Sequence, residues 1–113
     1  IVLKSAGTQR FSYTYVGDVV SAILLLLFSG EDGAAYNVSD ASYNLSLGEM
    51  AELISDISST KVVYELPDEI ESKGYSKATR ALMDATKLHC VGWQPIFDMQ
   101  EAISETINIL KEK

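Results

Sequence analysis

The sequence predicts an α/β fold in which short parallel strands pack against helices and the chain begins with a β-hairpin. Three observations predict this class: runs of β-prone residues, one almost wholly apolar helix, and two amphipathic helices that each begin with a capping box. A strand, a crossover helix and a further strand together favour a parallel sheet.

Two β-prone runs open the chain, at residues 1–4 and 11–16. The residues between them include Ser5-Ala6-Gly7-Thr8, which are small and suited to a turn. A hairpin is therefore the simplest expected arrangement of the two strands.

The most hydrophobic helix is predicted at residues 18–30. Asp18 is placed to cap its start, Gly30 is placed to close it in a left-handed conformation, and Ser21 is the only polar side chain between Asp18 and Ser29. The apolar run would be about 15 Å long, roughly half a bilayer's hydrocarbon core, so a membrane span is not expected. The helix needs burial on all sides, and we expect its outer face to be covered by another part of a longer protein or by a second copy.

The middle of the chain is predicted to hold a strand followed by an amphipathic helix. Residues 35–38 are short and apolar enough for an interior strand. Ser46 and Glu49 then form a capping box, with Leu45 and Met50 placed as a hydrophobic staple across it.

The last part of the chain is predicted to hold one strand and two helices. Residues 61–66 form a strand, and residues 68–76 form a loop. Asp84 is expected to cap a short helix that ends at Gly92. Asp98 and Glu101 form the capping box of a final amphipathic helix.

Composition limits the classes of partner and the cellular compartment. A net charge of −7 argues against nucleic acid or an anionic membrane as the main partner, because either would need a basic patch. Cys90 is the only cysteine, so no internal disulfide can form, and a reducing cytoplasm is expected. Because the sequence opens on a strand-like run without Met, we expect it to be part of a longer protein.

The residues indicate no catalytic or metal centre by themselves. No cluster of closely spaced glycines lies between a strand and a helix, as a phosphate-binding loop would require. His89 and Cys90 are adjacent and have no further ligands at metal-binding spacing, so a structural role is expected for both. The carboxylates on the predicted helix after Ser46 and in the loop at residues 68–76 are interpreted as solvated surface.

Several short motifs, taken in order, resemble one known family. Their sequence and spacing over nearly the whole chain are similar to the C-terminal third of the extended short-chain dehydrogenase/reductases, the NAD-dependent nucleotide-sugar epimerases and dehydratases. The motifs are Tyr15-Val16-Gly17-Asp18, Gly33-Ala34-Ala35-Tyr36-Asn37-Val38, Ser46-Leu47-Gly48-Glu49-Met50-Ala51, Arg80-Ala81-Leu82-Met83-Asp84-Ala85-Thr86-Lys87-Leu88 and Val91-Gly92-Trp93-Gln94-Pro95.

The resemblance implies a Rossmann-type protein in which residues 1–113 form one unit, the substrate-binding lobe with the last Rossmann elements. The family's glycine-rich dinucleotide loop and catalytic Tyr-x-x-x-Lys belong to the N-terminal part, and no Tyr in this sequence has a Lys four residues later. The full-length protein would bind NAD or NADP and a nucleotide-sugar. This chain alone would bind no dinucleotide and catalyse nothing, so no catalytic, cofactor-binding or metal-binding residue is predicted in it.

The resemblance also implies that basic side chains hold the nucleotide diphosphate. Arg80 occupies a family-like position, and an ordinary surface ion pair is the alternative for it. In the family an arginine commonly lies where this chain has Phe11, so Arg10 is one position early. On a strand, a shift of one residue places the side chain on the opposite face. An ion pair is therefore the favoured alternative for Arg10.

Three further residues are candidates for substrate binding. Lys77 could add a positive charge beside Arg80, although exposed loop lysines are common. Tyr75 could stack on a base or sugar, although tyrosines usually fill a half-buried surface. Asn37, at the end of its predicted strand, could contact substrate or tie a loop.

A function of a different class remains open: a free-standing α/β interaction module whose apolar helix docks a partner, without any nucleotide. The sequence does not distinguish NAD from NADP, nor does it identify the sugar, the base or the reaction.

Overall fold

The computed structural model describes residues 1–75 and 77–112, and in these residues short strands alternate with helices. The strands are β1 Val2–Leu3, β2 Arg10–Ser12, β3 Asn44–Ser46, β4 Val63–Tyr64 and β5 Arg80–Ala81. The helices are α1 Val16–Ser29, α2 Leu47–Ser58, α3 Thr86–Cys90 and α4 Met99–Lys111, with 3₁₀ turns at Ala41–Tyr43 and Glu71–Gly74. The predicted α/β class with short parallel strands and packed helices is confirmed.

The described strands form two small sheets. In the first, β1 runs parallel to β4, and in the second the order is β3, β2, β5, with β2 antiparallel to β3 and parallel to β5. The predicted N-terminal hairpin is therefore wrong, because β1 and β2 lie in different sheets.

The reason lies in the link between β1 and β2. The carbonyl of Gly7 accepts a hydrogen bond from Gly48 N–H, and the carbonyl of Gln9 accepts one from Leu47 N–H, both at 2.9 Å. Gly7 has a φ of +71°, and an added Cβ would lie 2.9 Å from Gly48 Cα. The link is thus bound to the start of α2 and does not turn back on β1.

The N-cap of helix α1 lies three residues before the predicted Asp18, and the helix ends at Gly30 as predicted, although not in the predicted conformation. Its N-cap is Tyr15, and Asp18 lies inside the first turn, fully buried, where it bonds to residues distant in sequence. Gly30 is the C-cap, but its φ of −75° is not left-handed. An added Cβ at Gly30 would lie 2.5 Å from the Leu26 carbonyl oxygen, so a close approach explains the glycine.

Both predicted capping boxes are confirmed, at Ser46 with Glu49 and at Asp98 with Glu101. The predicted strand at residues 35–38 has no ladder partner within the described residues. This segment is instead held by side chains: Thr14 Oγ1 donates to the Val38 carbonyl at 2.9 Å. Asp84 accepts from Thr86 N–H but lies one residue before the N-cap of α3, which is Ala85.

The core cluster joins one face of α1 to α3 and the turn that follows it. Ala22, Leu88 and Trp93 are buried together, and Trp93 Nε1 donates to Ser21 Oγ at 2.9 Å. The opposite face of α1 is open: Leu27 is 73% exposed and Phe28 84%. As the sequence predicts, the chain leaves one face of its most apolar helix uncovered. None of the described helices combines the length and the apolar character that a membrane crossing requires.

Candidate functional site

A cleft of about 610 Å³ lies between the two sheets. One side is formed by the β1 end of the first sheet and the other by β2 and the residues that precede β5. Residues 66–75, which we call the strap, line it as well. The apolar residues that line the cleft are Leu3, Ala6, Phe11, Leu47, Leu66, Pro67 and Tyr75.

Strand alternation separates Phe11 from Arg10. Phe11 lines the cleft, whereas Arg10 lines a neighbouring groove along α2, together with Glu49 and Tyr64. Successive side chains on a strand point to opposite faces, so the family's arginine position faces the cleft and Arg10 faces away from it.

Arg10 is held by the start of α2 and by β3. Its Nη1 lies 3.1 Å from Glu49 Oε2, and its Nη2 donates to the Asn44 carbonyl at 2.8 Å. The same carboxylate oxygen accepts from Ser46 N–H at 2.6 Å. That backbone hydrogen bond, followed by the Arg10 charge, holds the pKa of Glu49 below its usual value although desolvation opposes the shift.

Arg80 lies beside Arg10 in the second sheet. The two residues are register partners on the parallel strands β2 and β5, so their side chains lie on the same face of the sheet. Arg80 is exposed, and within residues 1–75 and 77–112 its guanidinium makes no ion pair. Of the two arginines, Arg80 therefore has the guanidinium free to meet a ligand.

Lys77 and Tyr75 both line the cleft, and so does Lys4, which the sequence analysis did not select. The Lys4 ammonium lies 2.9 Å from Glu65 and 3.9 Å from Glu71. Its hydrogen bond to Glu65 is the main reason that its pKa is raised. Among the described residues Lys77 has no ion-pair partner. The β1 side of the cleft, with Lys4, and the β5 side, with Lys77, therefore differ in charge.

Asn37 lies outside the cleft lining. Its Nδ2 donates to the Asp84 carbonyl at 2.9 Å, and Ser39 Oγ donates to the Met83 carbonyl at 3.3 Å. These contacts tie residues 37–39 to the link between β5 and α3, which agrees with the loop-tying alternative for Asn37.

Lys4 and Phe11 were thus not predicted from the sequence as cleft residues. A signal existed for Phe11, because it occupies the position of the family's arginine. No local pattern marks Lys4, because its place at the cleft depends on the pairing of β1 with β4, in which Val2 pairs with Val63 and Leu3 with Tyr64.

The starts of α1 and α2 do not fit a dinucleotide pyrophosphate. Such a group binds to open backbone N–H groups where a helix begins. At α1 the Tyr15 and Phe97 rings fill the space that a Cβ on Gly17 would enter, at 2.9 and 3.0 Å. At α2 the Gly48 N–H is bonded to the Gly7 carbonyl. No group of three or more His, Cys, Asp or Glu side chains in the described ranges is placed to hold a metal.

Curated relatives match nearly the whole chain. The dTDP-D-glucose 4,6-dehydratase of Mus musculus is 28% identical over 109 residues, which are 93% of this chain and 30% of the relative. The Homo sapiens protein of the same name is 29% identical over 113 residues, covering 97% of this chain and 32% of the relative. The chain thus spans about a third of the length of these relatives. No model of a protein family matches it.

Solved structures share the fold over the same extent. RMD from Pseudomonas aeruginosa, complexed with NADPH, has a TM-score of 0.79 at 23% identity, covering 99% of this chain and 36% of its own. The dTDP-glucose 4,6-dehydratase of Bacillus anthracis, in complex with NAD, also has a TM-score of 0.79. Its identity is 20%, and the match covers 99% of this chain and 34% of the dehydratase. The UDP-glucuronic acid 4-epimerase of Bacillus cereus, in complex with UDP-glucuronic acid and NAD, has a TM-score of 0.78 at 14% identity. The match covers 98% of this chain and 35% of the epimerase.

Proposed function

Since the chain matches the C-terminal portion of extended short-chain dehydrogenase/reductases of the nucleotide-sugar epimerase and dehydratase kind, we propose that residues 1–113 are the substrate-binding lobe of such an enzyme. In this proposal they include the last Rossmann elements, and the lobe holds the nucleotide end of a nucleotide-sugar. The sugar end is then directed toward the remainder of the longer protein.

The observation that carries this proposal is the cleft beside the strand of Arg80. Thr79 and Lys77, which precede Arg80, line the cleft, and the Arg80 guanidinium is unpaired among the described residues. A guanidinium can donate to two phosphate oxygens at once, which suits a diphosphate better than an ammonium does. Both arginines lie on the sheet face opposite the cleft, so a diphosphate would have to pass the outer strand β5 to reach Arg80. Arg10 would also have to release Glu49 to take part, so we propose Arg80 as the principal ligand and Arg10 as a secondary one.

The cofactor, NAD or NADP, would be held by the rest of the protein. The start of α1 is closed by Tyr15 and Phe97 and that of α2 by Gly7, and the sequence holds no Tyr-x-x-x-Lys. We therefore propose that the isolated chain neither binds the dinucleotide nor turns over substrate. We place the protein in the cytoplasm, because its one cysteine cannot form an internal disulfide.

A second candidate function rests on the open face of α1. Six apolar side chains of this helix are exposed: Val16, Val20, Ile23, Leu24, Leu27 and Phe28. In the longer enzyme we propose that its remaining part covers this face, and in the isolated chain a second copy does so. A docking module without nucleotide chemistry would use the same face, so the face alone does not separate the two functions.

Calorimetric titration separates them. The longer protein that carries this chain is titrated with uridine, thymidine and guanosine diphosphate sugars, with inorganic pyrophosphate as the ligand that lacks base and sugar. We expect saturable binding of at least one nucleotide-sugar, with a preference among bases. If none of the panel binds while a protein partner occupies α1, the docking module is the better description.

A further inference from the structure

We propose that the cleft receives the nucleobase of the substrate and that Phe11 is the residue on which the base stacks. This inference rests on the proposed function and adds to it the part of the substrate that the cleft holds. It also assigns a role to a residue at which this chain departs from the family's arginine.

The lining of the cleft suits a flat ring. Most of its exposed surface is apolar, with Phe11 on β2 and Tyr75 on the strap as its aromatic members. A sugar carries hydroxyl groups around its whole ring and needs many convergent polar partners, whereas a base presents two apolar faces and a polar edge. Ser72 and Thr79 also line the cleft and offer hydroxyls for such an edge.

Phe11 is the better supported of the two aromatic walls. It lies on the central strand of the second sheet, with register partners on both sides, Leu45 on β3 and Ala81 on β5. The Tyr13 ring meets it edge to face, with centroids 6.3 Å apart and an interplanar angle of 75°. Tyr75 lies on the strap, whose hydrogen bonds within the described part of the chain all stay inside the strap. A stacking platform loses less entropy on binding when its ring is already held in place.

The charges along the cleft set the direction of the bound nucleotide. At the β1 end, Glu65 and Glu71 surround Lys4, so that end does not favour a phosphate. At the β5 end Lys77 lacks an ion-pair partner among the described residues, and the strand of Arg80 follows. The base therefore lies against Phe11 and the diphosphate runs toward Lys77.

The test compares Phe11→Leu and Phe11→Tyr with the unchanged protein, in the full-length chain. Phe11→Leu should weaken the nucleoside diphosphate and its sugar conjugate by the same factor, about 5- to 100-fold, the range that corresponds to loss of one base–aromatic stack. Phe11→Tyr keeps a ring and should retain binding within about threefold, and pyrophosphate should bind all three proteins equally. Tyr64→Leu, at an exposed aromatic of the neighbouring groove, is the matched control and should leave every affinity unchanged.

The outcomes separate this inference from the proposed function. If nucleotide-sugars bind the unchanged protein and Phe11→Leu equally well, the base lies elsewhere and the inference is overturned, while the proposed function stands. If Phe11→Leu weakens pyrophosphate as strongly as the nucleotide, Phe11 supports the site without stacking, and the inference is again overturned. If no nucleotide-sugar binds the unchanged protein, both fall together. Should Phe11→Leu fail to fold, loss of binding in Phe11→Tyr would by itself reject a stacking role.

Discussion

The Tyr43 hydroxyl donates a hydrogen bond of 2.5 Å to the carboxylate of Asp18, and both residues are fully buried. The other carboxylate oxygen accepts from Ile96 N–H at 2.7 Å, and the Tyr43 hydroxyl also contacts the Phe97 carbonyl. Burial and the Asp18 carboxylate together raise the pKa of Tyr43. The Asp18 side chain, in the first turn of α1, thus joins this helix to the 3₁₀ turn that precedes β3 and to the segment before α4.

Replacing Asp18 by Ala should destabilise the protein by about 2–5 kcal/mol, because it removes two hydrogen bonds to a buried carboxylate and leaves a cavity beside the buried Tyr43. Urea unfolding followed by circular dichroism measures this change. Asp32→Ala, at an exposed position, is the control and should change the free energy of unfolding by less than about 0.5 kcal/mol. Equal changes in the free energy of unfolding for the two substitutions would show that the hydrogen bonds of Asp18 do not stabilise the fold.

If the proposed function holds, Arg80→Lys in the longer protein should weaken nucleotide-sugar binding by about 1–3 kcal/mol, the range for a charge-assisted hydrogen bond, because lysine cannot reproduce the two-pronged contact. Cofactor affinity and folding stability should change little. Arg80→Ala should weaken binding at least as much, whereas Lys111→Ala, which removes one charge at the end of α4, should not. Unchanged affinity in both Arg80 variants would leave Arg80 with a surface role.

Glu49 should make stability depend on pH in the acid range. Its pKa is lowered in the folded protein from the ordinary 4.5, so the stability it contributes is present above that value and lost as the pH falls through the lower, folded-state pKa. Glu49→Gln should therefore be less stable than the unchanged protein near pH 7 and about equal to it near pH 2. Unfolding by urea at a series of pH values checks this, and a difference that stays constant with pH would contradict it.

The strap should be loosened by Glu71→Gln. The Lys4–Glu71 contact is the ion pair that joins the strap to the rest of the described chain, and both side chains are partly exposed, so its contribution to stability is small. Tryptic cleavage after Lys73 should accelerate by about two- to fivefold, and the difference should shrink in high salt. Glu69→Gln removes a carboxylate from the same strap without breaking a described ion pair, so its cleavage rate should stay unchanged. Equal rates in the two variants would mean that the ion pair does not hold the strap.

The isolated 113-residue chain should associate with itself through α1. Half-burying the exposed apolar side chains of this helix would contribute several kcal/mol at about 25 cal/mol per Å², before the costs of association. Leu27→Asp should shift sedimentation toward the monomer, and Leu66→Asp, at an equally exposed leucine on the strap, should not. A monomer at high micromolar concentration that also fails to bind a hydrophobic dye would show that α1 needs no partner surface.

Features governed by neighbouring residues could be read from the sequence. Both capping boxes were predictable because Ser46 and Glu49, like Asp98 and Glu101, lie within one helical turn, so the contact depends only on local geometry. The exposed apolar face of α1 was predictable for a related reason. A helix with apolar residues on all sides has more apolar surface than a short chain can cover with its other elements.

The candidate residues of the cleft came partly from resemblance and partly from alternation along β2. Arg80 was selected by its place in the motif order, Lys77 by its place in the same predicted loop region, and Tyr75 as a ring that could stack on a base or sugar. The reversal of Arg10 relative to Phe11 followed from the two-residue period of a strand. Where each side chain meets a partner was not predictable. Glu49 reaches Arg10 only because β2 pairs with β3, and Asn37 reaches the Asp84 carbonyl across 47 positions.

By itself the sequence determined the α/β class, the helix starts with capping boxes, the apolar character of α1 and the family resemblance on which the proposed function rests. Only the tertiary structure decided that β1 pairs with β4, that Asp18 binds Tyr43 in the interior, and that Phe11 and Lys4 face one cleft. The physical reason is that strands of two or three residues carry too little local preference to choose a partner. Their pairing is set by long-range hydrogen bonds, such as those from the start of α2 to Gly7 and Gln9, which no short stretch of sequence contains.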